Sequence, residues 1–432
     1  MRYFELNEPV LTDELKKFIM EKESEDKSVE KVVLDIQNNI INNGFDAVKE
    51  YSKKFDNYDL NENNFRVSDK GIDELAKKID PDLSKSLEIA VKRVKYFHEN
   101  ELVKSFEIND DDDNRMGQRI VPLDAAAIYI PGGGALYPST LYMTAIPAII
   151  AGVKRIVLLS PPRTFKESPA VARLIQLLGI KEVYRIGGAQ SIFAAAYGAG
   201  ILKPVDKIAG PGNIFVAKAK QMVYGKVDID MIAGPSEILV IADTDKNEDI
   251  PLIAADLLSQ AEHGPAGWAG VFVIGTDKDY LDKIRKETYR QANELPNKDI
   301  AVKSLDNRGI IIKCSDRIAA VKISNLLAPE HLELFSDDPY PLLDIVKNAG
   351  SVFVGKYTPE SVGDYLGGPN HVLPTAGTAR FFSPLGVYDY QKRFSWIQFS
   401  EKSLKKYTCD IANIARSEGL EAHARSAEIR LK

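Results

Sequence analysis

Apolar residues recur first at helical and then at strand spacing along this chain. Between Thr12 and about Glu101 they fall three and four apart, as in Val29, Val32, Val33, Ile36 and Ile40, with lysines and acids between them. That spacing predicts a helical N-terminal region whose charged faces are solvated. From Ala125 the pattern changes to short β-rich runs alternating with helical windows, with strand candidates at 126–130, 155–159, 182–186 and 205–209. A second series follows at 238–242, 271–274, 309–313 and 351–354. Strands alternating with helices predict a parallel sheet flanked by helices, and the α/β unit occurs twice. After about Tyr388 the strand signal fades, and 401–416 and the residues up to His423 read as a helical tail.

Glycine and proline punctuate the strand series. Ala209-Gly210-Pro211-Gly212-Asn213 and Ala233-Gly234-Pro235-Ser236-Glu237 echo each other 24 residues apart. Glycine after a strand lets the backbone turn sharply and approach a ligand, and ligands in open α/β sheets sit at the carboxyl ends of strands. These turns are therefore either site edges or plain strand endings. The run Tyr129-Ile130-Pro131-Gly132-Gly133-Gly134 follows a strand and leads to a helix near Pro138-Ser139-Thr140. It is not the dinucleotide fingerprint, because the third glycine would fall at Tyr137, and the chain has no G-K-[ST] phosphate loop. A nucleotide here would be held by another geometry, on backbone amides at a helix start.

With 432 residues, the length indicates roughly two to four domains. Apolar residues make up 44% and charged residues 27%, the balance of a globular enzyme with large cores. A net charge of −6 and a pI near 5.6 argue against a nucleic-acid partner and for a small-molecule substrate. Cys314 and Cys409 form no C-x-x-C pattern, which indicates neither a disulfide framework nor a thiolate metal site. The first residues are charged and amphipathic, so no export is expected and the cytoplasm is the expected location. The most apolar window, 141–153, is interrupted by Pro147 and Gly152 and is too short to span a bilayer. Four consecutive acids, Asp110-Asp111-Asp112-Asp113, read as an exposed connection.

Histidine carries the candidate chemistry. Of five histidines, His263, His331, His371 and His423 lie in the last 170 or so residues, each near a carboxylate; His98 lies apart. Gln260 and His263, in Ser259-Gln260-Ala261-Glu262-His263-Gly264, close an apolar helical run that begins near Asn247, and their spacing puts both on one helix face. Four places form a constellation: Gln260 with His263, Glu330 with His331, Asp364 followed by Asn370 and His371, and Glu418 with His423. Imidazoles and carboxylates are the usual ligands of a catalytic zinc. Chemistry alone nominates two or three histidines with Asp364 and omits Gln260, a neutral amide; spacing does not decide the set. The adjacent Glu330-His331 supplies two groups that move protons near neutral pH, or else marks a solvated turn before the short apolar run 332–335.

The motifs taken together resemble those of the histidinol dehydrogenase family. They are Tyr129-Ile130-Pro131-Gly132-Gly133, Gly187-Gly188-Ala189-Gln190, Gly210-Pro211-Gly212-Asn213, Gly234-Pro235-Ser236-Glu237, Ser259-Gln260-Ala261-Glu262-His263, Pro329-Glu330-His331, Gly363-Asp364-Tyr365, Asn370-His371-Val372-Leu373-Pro374-Thr375 and Glu418-Gly419-Leu420 with His423. Each is short, and their order over about 300 residues is specific. The resemblance implies oxidation of L-histidinol to L-histidine through L-histidinal, with NAD as oxidant and one zinc ion per subunit. It implies Gln260, His263, Asp364 and His423 as zinc ligands, restoring the glutamine that chemistry disfavoured. It implies His331 as general base and Glu330 as the group that activates water. Ser236, His371 and Glu418 would orient substrate together with Gln260, His263, His331, Asp364 and His423, and Tyr129, Gln190 and Asn213 would contact NAD. An intertwined homodimer whose tail enters the partner's site is implied as well, with no nucleic-acid or membrane partner.

The fold class expected is α/β, with two similar incomplete Rossmann-like parallel-sheet domains and helical N- and C-terminal appendages. The expected division is a helical arm over 1–28, a first α/β domain from 29–124 with 235–386 holding the metal and catalytic residues, an NAD-binding domain over 125–234, and a helical tail over 387–432. The sequence departs from the pattern at Arg119-Ile120-Val121-Pro122-Leu123-Asp124-Ala125, in the acidic run, and at Trp268-Ala269-Gly270. Two rival functions are a zinc and NAD dehydrogenase of another alcohol such as a sulfonated diol, and a zinc hydrolase without redox chemistry.

Overall fold

The computed structural model of the chain describes residues 1–6, 12–20, 27–132, 137–232, 234–264, 266–275 and 278–431. Gly133 and Gly134 of the glycine run and Ala233 of the second Gly-Pro turn lie outside them. The strands are β1 (Arg2–Leu6), β2 (Phe106–Asn109), β3 (Arg115–Pro122), β4 (Ala125–Tyr129), β5 (Arg155–Ser160), β6 (Glu182–Arg185), β7 (Lys207–Ala209), β8 (Asp228–Ile229), β9 (Glu237–Asp243), β10 (Trp268–Ile274), β11 (Ile310–Cys314), β12 (His331–Ser336), β13 (Ser351–Val354) and β14 (Gln391–Gln398). They form a five-stranded parallel sheet in the order β6-β5-β4-β7-β8 and a six-stranded parallel sheet in the order β1-β11-β10-β9-β12-β13. β14, β3 and β2 make a small antiparallel sheet.

Both parallel sheets are buried on both faces, which explains why their strands read as continuous apolar runs. Along β4, Ala126 and Ile128 face one core while Ala125, Ala127 and Tyr129 face another. Along β9, Ile238, Val240 and Ala242 alternate in the same way with Leu239 and Ile241. This is the two-residue strand period doubled by a helical layer on each side.

The expected arm over 1–28 is corrected at its start. Arg2–Leu6 is a strand that adds to the edge of the six-stranded sheet beside β11, because Phe4 and Leu6 complete that core. The expected grouping of 29–124 with 235–386 is also corrected. Val29, Val33, Ile36 and Ile40 pack with Val48 and Phe65 onto β4 and β5, and Leu87, Val91 and Val94 pack on the other face of the same sheet. The tail is not wholly helical either: β14 pairs with β3 along eight residues before helices Glu401–Ser417 and Glu421–Glu428 begin. Its sequence, mostly polar and exposed, carries no apolar run to announce a strand.

The acidic run, expected as an exposed connection, forms the β2–β3 turn and clasps the tail. Asp112 accepts bonds from Lys406 Nζ at 2.6 Å and Tyr407 Oη at 3.2 Å, with Lys402 Nζ at 3.4 Å. The backbone carbonyl of Asp112 accepts from Ser400 Oγ at 2.7 Å, and Asn114 Oδ1 accepts the amide of Ser400 at 2.8 Å. Ser400 is also the N-cap of helix Glu401–Ser417.

A buried ion pair fixes the first Gly-Pro turn. Gly210 has φ of 124°, and a Cβ there would lie 2.1 Å from the carbonyl oxygen of Tyr129. Its amide donates to Asp230 Oδ2 at 2.7 Å and its carbonyl accepts from Lys220 Nζ at 3.0 Å, while Lys220 and Asp230 are themselves paired. Substituting Asp230→Ala leaves an uncompensated ammonium in the core, so the unfolding free energy should fall by roughly 3–5 kcal/mol. Urea unfolding at unchanged slope checks this, and a midpoint equal to that of the parent protein would refute it.

Candidate active site

The site begins with the adjacency of β9 and β12. Their register sets His331 opposite Ile238, which places Glu330 and Glu237 together one step earlier. Each carboxylate then accepts the other's backbone amide, Glu237 N to Glu330 Oε2 at 2.9 Å and Glu330 N to Glu237 Oε2 at 3.4 Å. The amide of Ala376 adds a bond to Glu237 Oε1 at 3.0 Å. Burial pushes the Glu237 carboxyl up to about 7 and Glu330 well above the ordinary range.

His331 Nδ1 lies 2.8 Å from the carbonyl oxygen of Glu237. A carbonyl only accepts, so Nδ1 carries the proton and the lone pair is on Nε2. Nε2 is buried and has no hydrogen-bond partner among the described residues. Burial lowers the imidazole pKa to about 4, which keeps it neutral at physiological pH with Nε2 unprotonated. His371 repeats the arrangement: its Nδ1 is 3.0 Å from the Asp364 carbonyl oxygen, and burial lowers its pKa to about 4. Asn370 anchors the loop before His371, donating from Nδ2 to the carbonyl of Met143 at 2.6 Å and accepting the amide of Val372 on Oδ1.

Short helix Glu360–Tyr365 supplies two acids one turn apart. Glu360 Oε1 is 3.7 Å and Asp364 Oδ1 3.9 Å from His331 Nε2. Gly363 lets this helix lie against Phe353, where a Cβ would sit 2.5 Å from the ring, and Phe353 in turn packs 5.9 Å from the His331 ring. Gln260, buried in the last turn of helix Ile250–Ala261, donates from Nε2 to Glu360 Oε1, and Ser259 Oγ donates to Glu360 Oε2. Gln260 Oε1 is buried without a partner among the described residues. His263 lies just beyond the helix, its amide bonded to the Gln260 carbonyl at 3.2 Å, so the expected same-face helical pair straddles a helix end. Its side chain is exposed at the surface yet crowded enough by protein to lower its pKa.

A cleft of about 230 Å³ opens beside these groups, lined by His331, Phe353, Asp364, Asn370 and His371. His331, Glu360 and Asp364 offer ligand atoms within 4.8 Å of one another, a set that can hold a metal ion. The orphaned Gln260 Oε1 fits such a site, because a buried acceptor with no donor is otherwise costly. Glu360 and Glu237 were not anticipated from sequence. Glu360 could have been found from its position four residues before Asp364; Glu237 had no signal beyond the turn that precedes it.

Tyr129, Gln190 and Asn213 lie at or just after the carboxyl ends of strands β4, β6 and β7 of the five-stranded sheet. Tyr129 ends β4, Gln190 is in the first turn of helix Gly188–Tyr197, and Asn213 caps helix Ile214–Val223. Tyr129 Oη accepts the amide of Gly188 at 3.3 Å, and burial pushes its phenol up to about 12. Ser236 is half-buried just before β9. Glu418 and His423 are exposed at the far end of the tail, and no hydrogen bond or ion pair among the described residues joins them to this site.

The sequence profile described as Histidinol dehydrogenase matches residues 19–431. The chain belongs to the histidinol dehydrogenase family. It is 47% identical over 402 residues to the histidinol dehydrogenase of Bacillus licheniformis, covering 93% of each chain. It is 45% identical over 411 residues to that of Bacillus subtilis, covering 94% of this chain and 93% of the relative. The crystal structure of histidinol dehydrogenase from Elizabethkingia anophelis superposes with a TM-score of 0.92 at 35% identity, over 100% of this chain and 98% of that one. Membership of the histidinol dehydrogenase family makes the chain an oxidoreductase of amino-acid biosynthesis, of a class that uses NAD and a metal.

Because Gly363 seats the acid-bearing helix on Phe353, Gly363→Ala should push Asp364 and Glu360 away from His331. Turnover is expected to fall more than about tenfold, with a stability loss of roughly 1–3 kcal/mol for the overlap. Kinetics beside a thermal melt test this; full activity would show that the close approach is dispensable.

Proposed function

We propose that this protein oxidises L-histidinol to L-histidine through L-histidinal in the cytoplasm, reducing two NAD and requiring one zinc ion per subunit. The observation that carries the reading is the buried, neutral His331, whose free Nε2 faces the acids of the cleft while Glu330 stands beside it. Such a pair suits successive proton transfers. In the first half-reaction His331 Nε2 takes the hydroxyl proton as hydride leaves the carbinol carbon. In the second, Glu330 takes a proton from the water that adds to the aldehyde carbon, and a second hydride leaves the hydrate to give the carboxylate. Burial raises the Glu330 pKa, which favours its taking up that proton.

Gln260, His263 and Asp364 of one subunit, with His423 of a second copy, would hold the zinc, and Ser236, His371 and Glu418 would orient the substrate. Zinc, when bound, supplies positive charge that grips substrate nitrogen. The 125–234 unit would take NAD through Tyr129, Gln190 and Asn213, which lie at or just after the carboxyl ends of its strands. An intertwined homodimer is supported by the exposed position of Glu418 and His423 and by apolar surface on the same appendage. Phe394 and Ile397 on β14, Phe106 and Ile108 on β2, and Ile414 and Ile429 on the tail all face outward. No helix among the described residues is long and apolar enough to cross a membrane.

Purified protein supplied with histidinol, NAD and zinc should form about two NADH per histidinol consumed, counted at 340 nm. Absence of NADH would reject the function. His331→Asn should slow turnover by roughly 10²-fold or more while zinc content stays at the parent level, on the usual scale for loss of a general base. Unchanged turnover would remove His331 from the mechanism.

A further inference from the structure

A glutamine amide is a weak, neutral oxygen ligand whose two ends have nearly the same shape. It can serve a cation only where a neighbour decides which end points inward. Glu360 is placed to make that decision. It is buried, and its Oε1 accepts from Gln260 Nε2, in the last turn of helix Ile250–Ala261. Its Oε2 accepts from Ser259 Oγ, whose hydroxyl also reaches the Asp256 carbonyl at 2.6 Å. Two consecutive residues of one helical turn are thus held by one carboxyl group. With the amide nitrogen engaged, Gln260 Oε1 must face the other way, and that is the buried atom left without a partner.

We propose that Glu360 is a positioning residue that locks the Gln260 amide with its oxygen toward the metal and polarises it into an effective ligand. The proposal rests on the reading of Gln260 as a metal ligand given under the proposed function. It accounts for a neutral amide serving where a carboxylate would be the ordinary choice: the negative charge stands one hydrogen bond back from the metal. A partner of this kind commonly accounts for ten- to a hundredfold in metal affinity. The geometric rival is direct ligation by Glu360, because each carboxylate oxygen keeps a second lone pair and Oε1 lies 3.7 Å from His331 Nε2.

A double-mutant cycle on the full-length protein separates the two. Zinc affinity is measured by competition with a chromogenic chelator for the parent, Gln260→Ala, Glu360→Gln and the double variant, with thermal melts alongside. Each single variant should bind zinc about 10–100-fold more weakly, and the double variant no more weakly than Gln260→Ala, since Glu360 acts through the amide. If Glu360→Gln weakens zinc binding equally with Gln or Ala at 260, Glu360 is a direct ligand and the proposal fails. If Glu360→Gln leaves zinc affinity unchanged while Gln260→Ala lowers it, the lock is refuted and the ligand stands. If Gln260→Ala has no effect, the underlying ligand assignment fails instead. Should Glu360→Gln not fold, the exchanged pair Gln260→Glu/Glu360→Gln keeps an amide facing a carboxylate and presents an oxygen to the metal. It should bind zinc within about tenfold of the parent, and loss of zinc from a folded exchanged pair overturns the proposal.

Discussion

Everything at the catalytic centre depends on the parallel pairing of β9 with β12. That register opposes Glu330 to Glu237, lets each carboxylate take the other's backbone amide, and brings the Glu237 carbonyl to His331 Nδ1. A slip of one residue would turn His331 to the opposite face of the sheet and remove the amide bonds that Glu237 and Glu330 give each other. Backbone hydrogen bonding therefore selects the tautomer of the base as well as its position. The two strands are far apart in sequence and adjacent only in the sheet, with β12 and β13 completing the edge on which the cleft opens.

Burial then acts in opposite directions on the two kinds of ionisable group. It raises Glu237, Glu330, Glu360 and Asp364 and lowers His331 and His371, so both kinds move toward neutrality. Crowded acids would repel one another if all were charged, and at Glu330 and Glu360 that repulsion adds to desolvation. A divalent cation among them would favour the charged carboxylates again. Glu333 extends the acidic group inward: it lies two residues past His331 on the fully buried β12, and Asp256 and Glu360 both help to hold its pKa up.

Much of the parallel architecture was legible from sequence because strands buried on both faces leave continuous apolar runs, and all eight such runs contain strands of the two parallel sheets. β14 was not legible, since its exposed residues follow no apolar period. β1 was missed because five residues preceding a helical window give too short a pattern. The strand nature of 331–336 was half hidden by Glu330, His331 and Glu333, polar residues in a core strand placed there for chemistry rather than for packing. Gln260, His331, Asp364 and His371 do converge in three dimensions, whereas Glu418 and His423 do not join them within one chain. Glu360 has only its spacing of four from Asp364 as a sequence signal, because a buried acid with hydrogen-bonding duties looks like any other glutamate in a short polar segment.

The clasp between the acidic turn and the tail differs in kind from these buried contacts. Asp112 meets Lys402 and Lys406 at the protein surface, where water and mobile ions reach both sides of each pair. At physiological ionic strength such charges are screened over about 8 Å, while groups sealed in the cleft are shielded far less. Ionic strength thus acts unevenly on this molecule: added salt loosens the seat of the tail helix before it disturbs the chemistry of His331. Three hydrogen bonds from Ser400 and Ser403 to Asp112 and Asn114 carry no net charge and set the floor to which that loosening can fall.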